Sequence, residues 1–137
     1  MPNSFQTGFA PFFVALLLQM APSPSFSADQ NYIAIIIDDI GHNWSAGERV
    51  MDIQAHLTFA VLPETQHAVR LTSYAQNAGK EVMLHLPMEN NMNQPLGGLA
   101  LTSGLSEQGV SLVVDQAVKL VPFPSGINNH MGNALTR

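Results

Sequence analysis

From about residue 29 onward, the apolar positions alternate between short continuous runs and stretches spaced by three and four. Tyr32 to Ile37 (YIAIII) is a continuous, mostly β-branched run ending in Asp38-Asp39, which predicts a strand buried on both faces. Ser45-Ala-Gly-Glu48 fits a capping box, with the Ser oxygen accepting an N-terminal amide while Glu48 reaches back. Val50 and Met51 then supply the inner face of a short helix. Leu57 to Leu62 (LTFAVL) predicts a second strand, stopped by Pro63. From His67 to Ala78, apolar residues fall at Ala68, Leu71, Ala75 and Ala78, a helical spacing with Gly79 as its C-terminal stop. Glu81 to Leu86 (EVMLHL) predicts a third strand, ended by Pro87. The Gly/Asn/Pro-rich loop from Met88 to about Gly104 is longer than an ordinary connection, and such loops are often functional. Ser106-Glu-Gln opens a third helix with Val110, Val113, Val114, Ala117, Leu120 and Val121 on one face. Pro122 to Gly126 breaks it, and Ile127-Asn-Asn-His130-Met-Gly132 predicts a short fourth strand and its loop.

Repeated βα units with short connections imply an α/β fold, with about four parallel strands, flanking helices and right-handed crossovers. In such folds the site forms where loops converge at the carboxyl ends of the strands. The polar residues there are Asp38 and Asp39, then Glu64, then His85 and Glu89, and finally Asn128, Asn129 and His130. Residues far apart in the chain would meet on one face.

The residues before this pattern read differently. Phe9 to Met20 is a largely apolar run too short to span a bilayer comfortably, followed by small residues that offer a cleavage point near Ser27 or Ala28. Residues 1–28 are therefore expected to be a signal peptide, and the rest to act in the periplasm or outside the cell. Met1 to Gly8 carries no Lys or Arg, which keeps an uncleaved membrane anchor as the competing reading. Pro11, Pro22 and Pro24 argue against a core helix. The 137 residues allow one domain at most, and a net charge of -5 argues against nucleic acid or an anionic membrane surface as partner. There is no cysteine, which excludes a thiolate metal site or a cysteine nucleophile.

Two adjacent carboxylates ending an apolar strand are costly unless compensated, and a divalent cation is the usual compensation. One Asp with two His suits Zn²⁺ with a position left open for water. The ion would polarise a substrate carbonyl, and the Asp that does not bind it could take the water's proton. This is the chemistry of amide or ester hydrolysis. Each residue also has a structural alternative. Asp38-Asp39 could cap a helix, and His85 and His130 could be satisfied residues of core and loop. Glu89 could support a ligand or simply be solvated, and Trp44 could line a sugar site or cover the first helix. His42, His56 and His67 are expected at the surface or at helix starts.

Ile35-Ile-Ile-Asp-Asp-Ile-Gly41, Thr58-Phe-Ala-Val-Leu-Pro63, Glu81-Val-Met-Leu-His-Leu-Pro-Met-Glu89 and Gly126-Ile-Asn-Asn-His-Met-Gly132 resemble, in order and spacing, the signature blocks of divergent polysaccharide deacetylases. These are relatives of the NodB-type carbohydrate esterases. The resemblance covers residue 30 to the end and implies part of a distorted (β/α) barrel. It further implies that Asp38 is the catalytic base, that Asp39, His85 and His130 bind a divalent metal (zinc by type), and that the substrate is a polysaccharide or oligosaccharide. Better-known NodB-type enzymes take both metal histidines from one H-x-x-x-H motif, which this chain lacks; two separate strands supply them here. After the leader roughly 110 residues remain, against about 200 or more for a closed barrel, so the chain is expected to be the N-terminal half. The general acid would then lie in later strands, and this half alone would be inactive.

The reading preferred on these grounds is N-deacetylation of an envelope or extracellular glycan. A non-catalytic glycan-binding or structural protein that keeps the fold is the alternative. A phosphoester substrate is disfavoured by the scarcity of Lys and Arg, since phosphate sites need positive donors; Arg49 and Arg70 both fall on helices.

Overall fold

The computed structural model describes residues 31–136, so the leader predicted over residues 1–28 lies outside the described residues. Four strands, β1 (Ile36–Ile40), β2 (Thr58–Val61), β3 (Glu81–Met88) and β4 (Ile127–Met131), form one sheet in the order β1-β2-β3-β4. All three pairings are parallel. Helices α1 (Trp44–Met51), α2 (Ala68–Asn77) and α3 (Glu107–Leu120) connect successive strands. This sequential order makes a half-barrel with flanking helices, the partial NodB-like barrel expected from the sequence. No helix among the described residues is long and apolar enough to cross a membrane.

The core lies between the two middle strands and the helices. Phe59 and Val61 of β2 and Val82, Leu84 and Leu86 of β3 are buried with Met51, Leu71, Ala75, Ala117 and Val121. The spacing of Leu71 and Ala75 predicted this face of α2, and Gly79, at φ 69, ends that helix as expected. Ser106 caps α3 by accepting from Gly109 N.

Three expectations fail locally. The first strand starts at Ile36 rather than Tyr32 and is not buried on both faces, Ile36 being 43% exposed and Ile37 only half-buried. β1 is an edge strand that pairs only with β2 among the described residues, so an apolar run there does not signal two covered faces. Ser45 is not the cap of α1. The cap lies two residues earlier, at Asn43, whose Oδ1 accepts from Ala46 N at 2.9 Å, and the helix starts at Trp44. Pro87 does not end β3, which continues to Met88. Leu84 donates to Gly126 and Met88 accepts from Gly132, so alternate residues of β3 turn to β4 and Pro87 turns to the other side. There β2 has already finished, its last residue Val61 pairing with Leu84, so the missing N–H of Pro87 leaves no partner unpaired. Its carbonyl accepts from Leu101 instead.

The turn after β1 depends on Gly41. Its φ is +138, and an added Cβ would run into Oγ1 and Cβ of Thr65, whose hydroxyl donates to Leu62 O. Gly41→Ala is expected to destabilise the fold by about 2–4 kcal/mol, combining left-handed strain with overpacking. Urea unfolding checks this; a loss below about 0.5 kcal/mol would mean the turn relaxes freely.

Candidate metal centre

Neighbouring residues of a regular strand point to opposite faces, so Asp38 and Asp39 should not share a site. A bulge removes the conflict. Ile37 pairs with Phe59 and Ile40 with Val61, so β1 carries one more residue than β2 across this interval. Asp39 sits at φ 60, a strained conformation for a residue with a Cβ and one typical of functional positions. Both carboxylates consequently come to His85. Asp38 Oδ1 lies 4.0 Å from His85 Nδ1, and Asp39 Oδ1 lies 3.2 Å from His85 Nε2.

β4 delivers the second histidine. His85 aligns with Asn128 and Pro87 with His130, so period two puts Asn128 and His130 on the same face as His85. His130 Nδ1 is 2.9 Å from Asp39 Oδ1 and 3.1 Å from His85 Nε2. The two rings meet edge to face, with centroids 4.9 Å apart. Asp39, His85 and His130 thus turn one donor atom each toward a common point. A tetrahedral zinc about 2.0–2.1 Å from each donor would set them roughly 3.3 Å apart, close to the 2.9–3.2 Å found. The donor set and its spacing fit a small divalent ion with one face open. His85 is 3% exposed at the base, while the Asp39 side chain is 63% exposed at the rim.

Behind the donors stands a residue to which the sequence reading gave no role. Asn128 Oδ1 lies 2.8 Å from His85 Nδ1, and Asn128 Nδ2 donates to Asp38 Oδ1 at 3.0 Å. Its place two residues before His130 on one strand was the available signal.

Other strand-end residues serve the loops. Glu64 Oε2 accepts from Gly98 N and Leu99 N at 2.7 and 2.8 Å, and Glu89 Oε2 accepts from Ser103 N at 2.6 Å. That bond to Ser103 holds the Glu89 carboxyl below its ordinary range. Both glutamates pin the long loop, and neither joins the donor cluster. Trp44 packs edge-on against Tyr74 and His67, with the Arg70 guanidinium 3.7 Å from its ring centroid, so it joins α1 to α2. His42, expected at the surface, is exposed but also lines a cavity of about 260 Å³ with His130, Leu62, Pro63, Pro87 and Leu96.

Residues 35–137 match the family model described as divergent polysaccharide deacetylase. Over 104 residues the chain is 38% identical to the uncharacterized protein YibQ of Escherichia coli K12, covering 76% of this chain and 33% of that one. Over 114 residues it is 32% identical to an uncharacterized protein of Haemophilus influenzae, covering 82% and 40%. A crystal structure of an uncharacterized protein from Agrobacterium tumefaciens C58 superposes with a TM-score of 0.58 at 19% identity, covering 72% of this chain and 42% of that one, a likeness of fold. The chain therefore spans between a third and two fifths of the length of the curated relatives it matches.

Proposed function

The chain belongs to the divergent polysaccharide deacetylase family, and we propose that it forms the metal-binding part of a zinc-dependent hydrolase that removes N-acetyl groups from an envelope or extracellular polysaccharide. The observation that carries this reading is the convergence of Asp39 Oδ1, His85 Nε2 and His130 Nδ1 on one point. When bound there, a zinc ion supplies Lewis acidity to the acyl carbonyl and to the attacking water. Asp38 is the base. It lies beside the donor cluster without belonging to it, and Asn128 engages one of its oxygens, so the other can take the water's proton. The attack forms a C–O bond to the acyl carbon. The C–N bond then breaks as a general acid, expected in the later strands of the domain, protonates the nitrogen, to leave acetate and a free amine. The cavity beside His130, at about 260 Å³, falls below the roughly 300–1,000 Å³ of drug-sized sites and suits a small acyl group. Export to the periplasm or beyond, read from the run Phe9–Met20, would place the protein beside such a substrate.

The test is acetate release from N-acetylated oligosaccharides, with the family domain carried at the length of its relatives. Release that stops on chelation and returns with zinc is the expected result. Stoichiometric zinc with no acetate would favour a non-catalytic glycan-binding protein.

A further inference from the structure

We propose that Asn128 is a positioning residue that dictates which nitrogen of His85 is left bare for the ion and steadies Asp38 at the same time. The inference rests on the metal-site reading above. A carboxylate only accepts hydrogen bonds, so the group that Asn128 turns to Asp38 Oδ1, 3.0 Å away, must be its NH₂. The amide oxygen then necessarily faces His85 Nδ1 at 2.8 Å. An oxygen there needs a donor, so the His85 proton sits on Nδ1 and Nε2 keeps its lone pair. One side chain, anchored by Asp38, therefore fixes the tautomer of the buried histidine.

The opposing force is visible in the same cluster. Asp39 Oδ1 lies 3.2 Å from His85 Nε2 and would hold a proton there if His85 carried one. Asp39 thus pulls the ring toward the tautomer that cannot bind a metal, and Asn128 pulls it back. With Nε2 bare, Asp39 Oδ1, His85 Nε2 and His130 Nδ1 crowd together with only the His130 ring proton to share, an arrangement that a cation relieves.

Two substitutions separate the roles. Asn128→Leu removes both contacts at similar size. Asn128→Asp keeps an acceptor for His85 Nδ1–H but cannot donate to Asp38. The first readout needs no metal: long-range ¹H–¹⁵N correlations of the His85 ring at neutral pH, in the metal-free full chain. Wild type and Asn128→Asp are expected to show the proton on Nδ1, and Asn128→Leu to show it on Nε2. The second readout is zinc affinity by competition with a chromophoric chelator. Asn128→Leu should bind about 10–100-fold more weakly, the usual effect of losing an outer partner, and Asn128→Asp within a few-fold of wild type. Should Asn128→Leu not fold, wild type and Asn128→Asp still decide, because a wild-type proton on Nε2 overturns the assignment outright. An Asn128→Leu protein with wild-type tautomer and affinity also overturns it, and leaves the metal centre standing. A wild-type chain with the proton on Nδ1 that takes up no zinc does the reverse: it upholds the tautomer control and removes the metal centre.

Discussion

Alanine at His85 should abolish stoichiometric zinc uptake, with an affinity loss well beyond the roughly 10–100-fold expected for an outer partner. The residue is 3% exposed on β3, between β2 and β4, and forms the base of the donor cluster. Its removal leaves Asp39 Oδ1 and His130 Nδ1 as a two-point site with nothing beneath it. The same truncation strands Asn128 Oδ1, a half-buried acceptor, at a cost of about 1–3 kcal/mol even without metal. The metal effect must therefore be read separately from the fold. Zinc at a hundred times its dissociation constant should stabilise the wild type by about 2.7 kcal/mol against unfolding, and chelation should remove that gain. His85→Ala should start lower and show no zinc-dependent shift at all. Urea unfolding with and without zinc checks this, together with metal content by mass spectrometry. Wild-type zinc content in the variant would eliminate the proposed centre.

The donor residues were legible in the sequence because the rule that places them is local. Polar residues in the carboxyl-terminal half of a parallel strand face the site end of the sheet, and Asp39, His85 and His130 each stand there, His85 three residues before the end of β3. The middle strands and α2 were equally plain, since Phe59, Leu84, Leu71 and Ala75 are buried where periodicity puts them, whereas on α3 Ala117 is buried but Val110, expected on the same face, is exposed. The bulge at Asp38-Asp39 was hidden. It is a mismatch of register between β1 and β2, a property of two segments together that neither states alone. Without it the adjacent carboxylates would face apart, so the sequence singled out the pair with no means of bringing both to His85. Edges were hidden for a related reason: the apolar run at 32–37 records side-chain character, and the sheet order decides what covers it. The sequence pattern points to Ser45 as the cap of α1, and Asn43, two residues earlier, takes that place instead. For Trp44 the sequence does not separate the two readings, a sugar site or a cover for the first helix, and it places Glu64 only at a strand end, because their partners, the Arg70 guanidinium and the amides of Gly98 and Leu99, come from segments no spacing rule connects.

That bulge also sets up the sharpest separation of chemistry from binding. With the family domain carried at the length of its relatives, Asp38→Asn is expected to leave zinc stoichiometry intact while lowering kcat for the proposed deacetylation by about 10²–10⁴-fold, the usual contribution of a positioned base. The substitution is isosteric, and Asp38 is not among the three converging donors, so the ion loses no ligand. The amide oxygen of the new side chain can still accept from Asn128 Nδ2, which should keep the side chain in place. What disappears is the capacity to take a proton from water, since an amide does not accept one at neutral pH. The loss amounts to about 2.7–5.4 kcal/mol of transition-state stabilisation and should fall on kcat with KM little changed. Asp39→Asn offers the contrast: one residue along the chain, its effect should appear first in metal content, because Asp39 Oδ1 faces both histidines. Zinc retained by both variants, or a wild-type rate in Asp38→Asn, would show that the two carboxylates do not divide the work in this way. Zinc retained by Asp38→Asn and lost by Asp39→Asn, with the rate collapsing in each, is the outcome their geometry requires, since only Asp39 turns an oxygen to the shared point of the two rings.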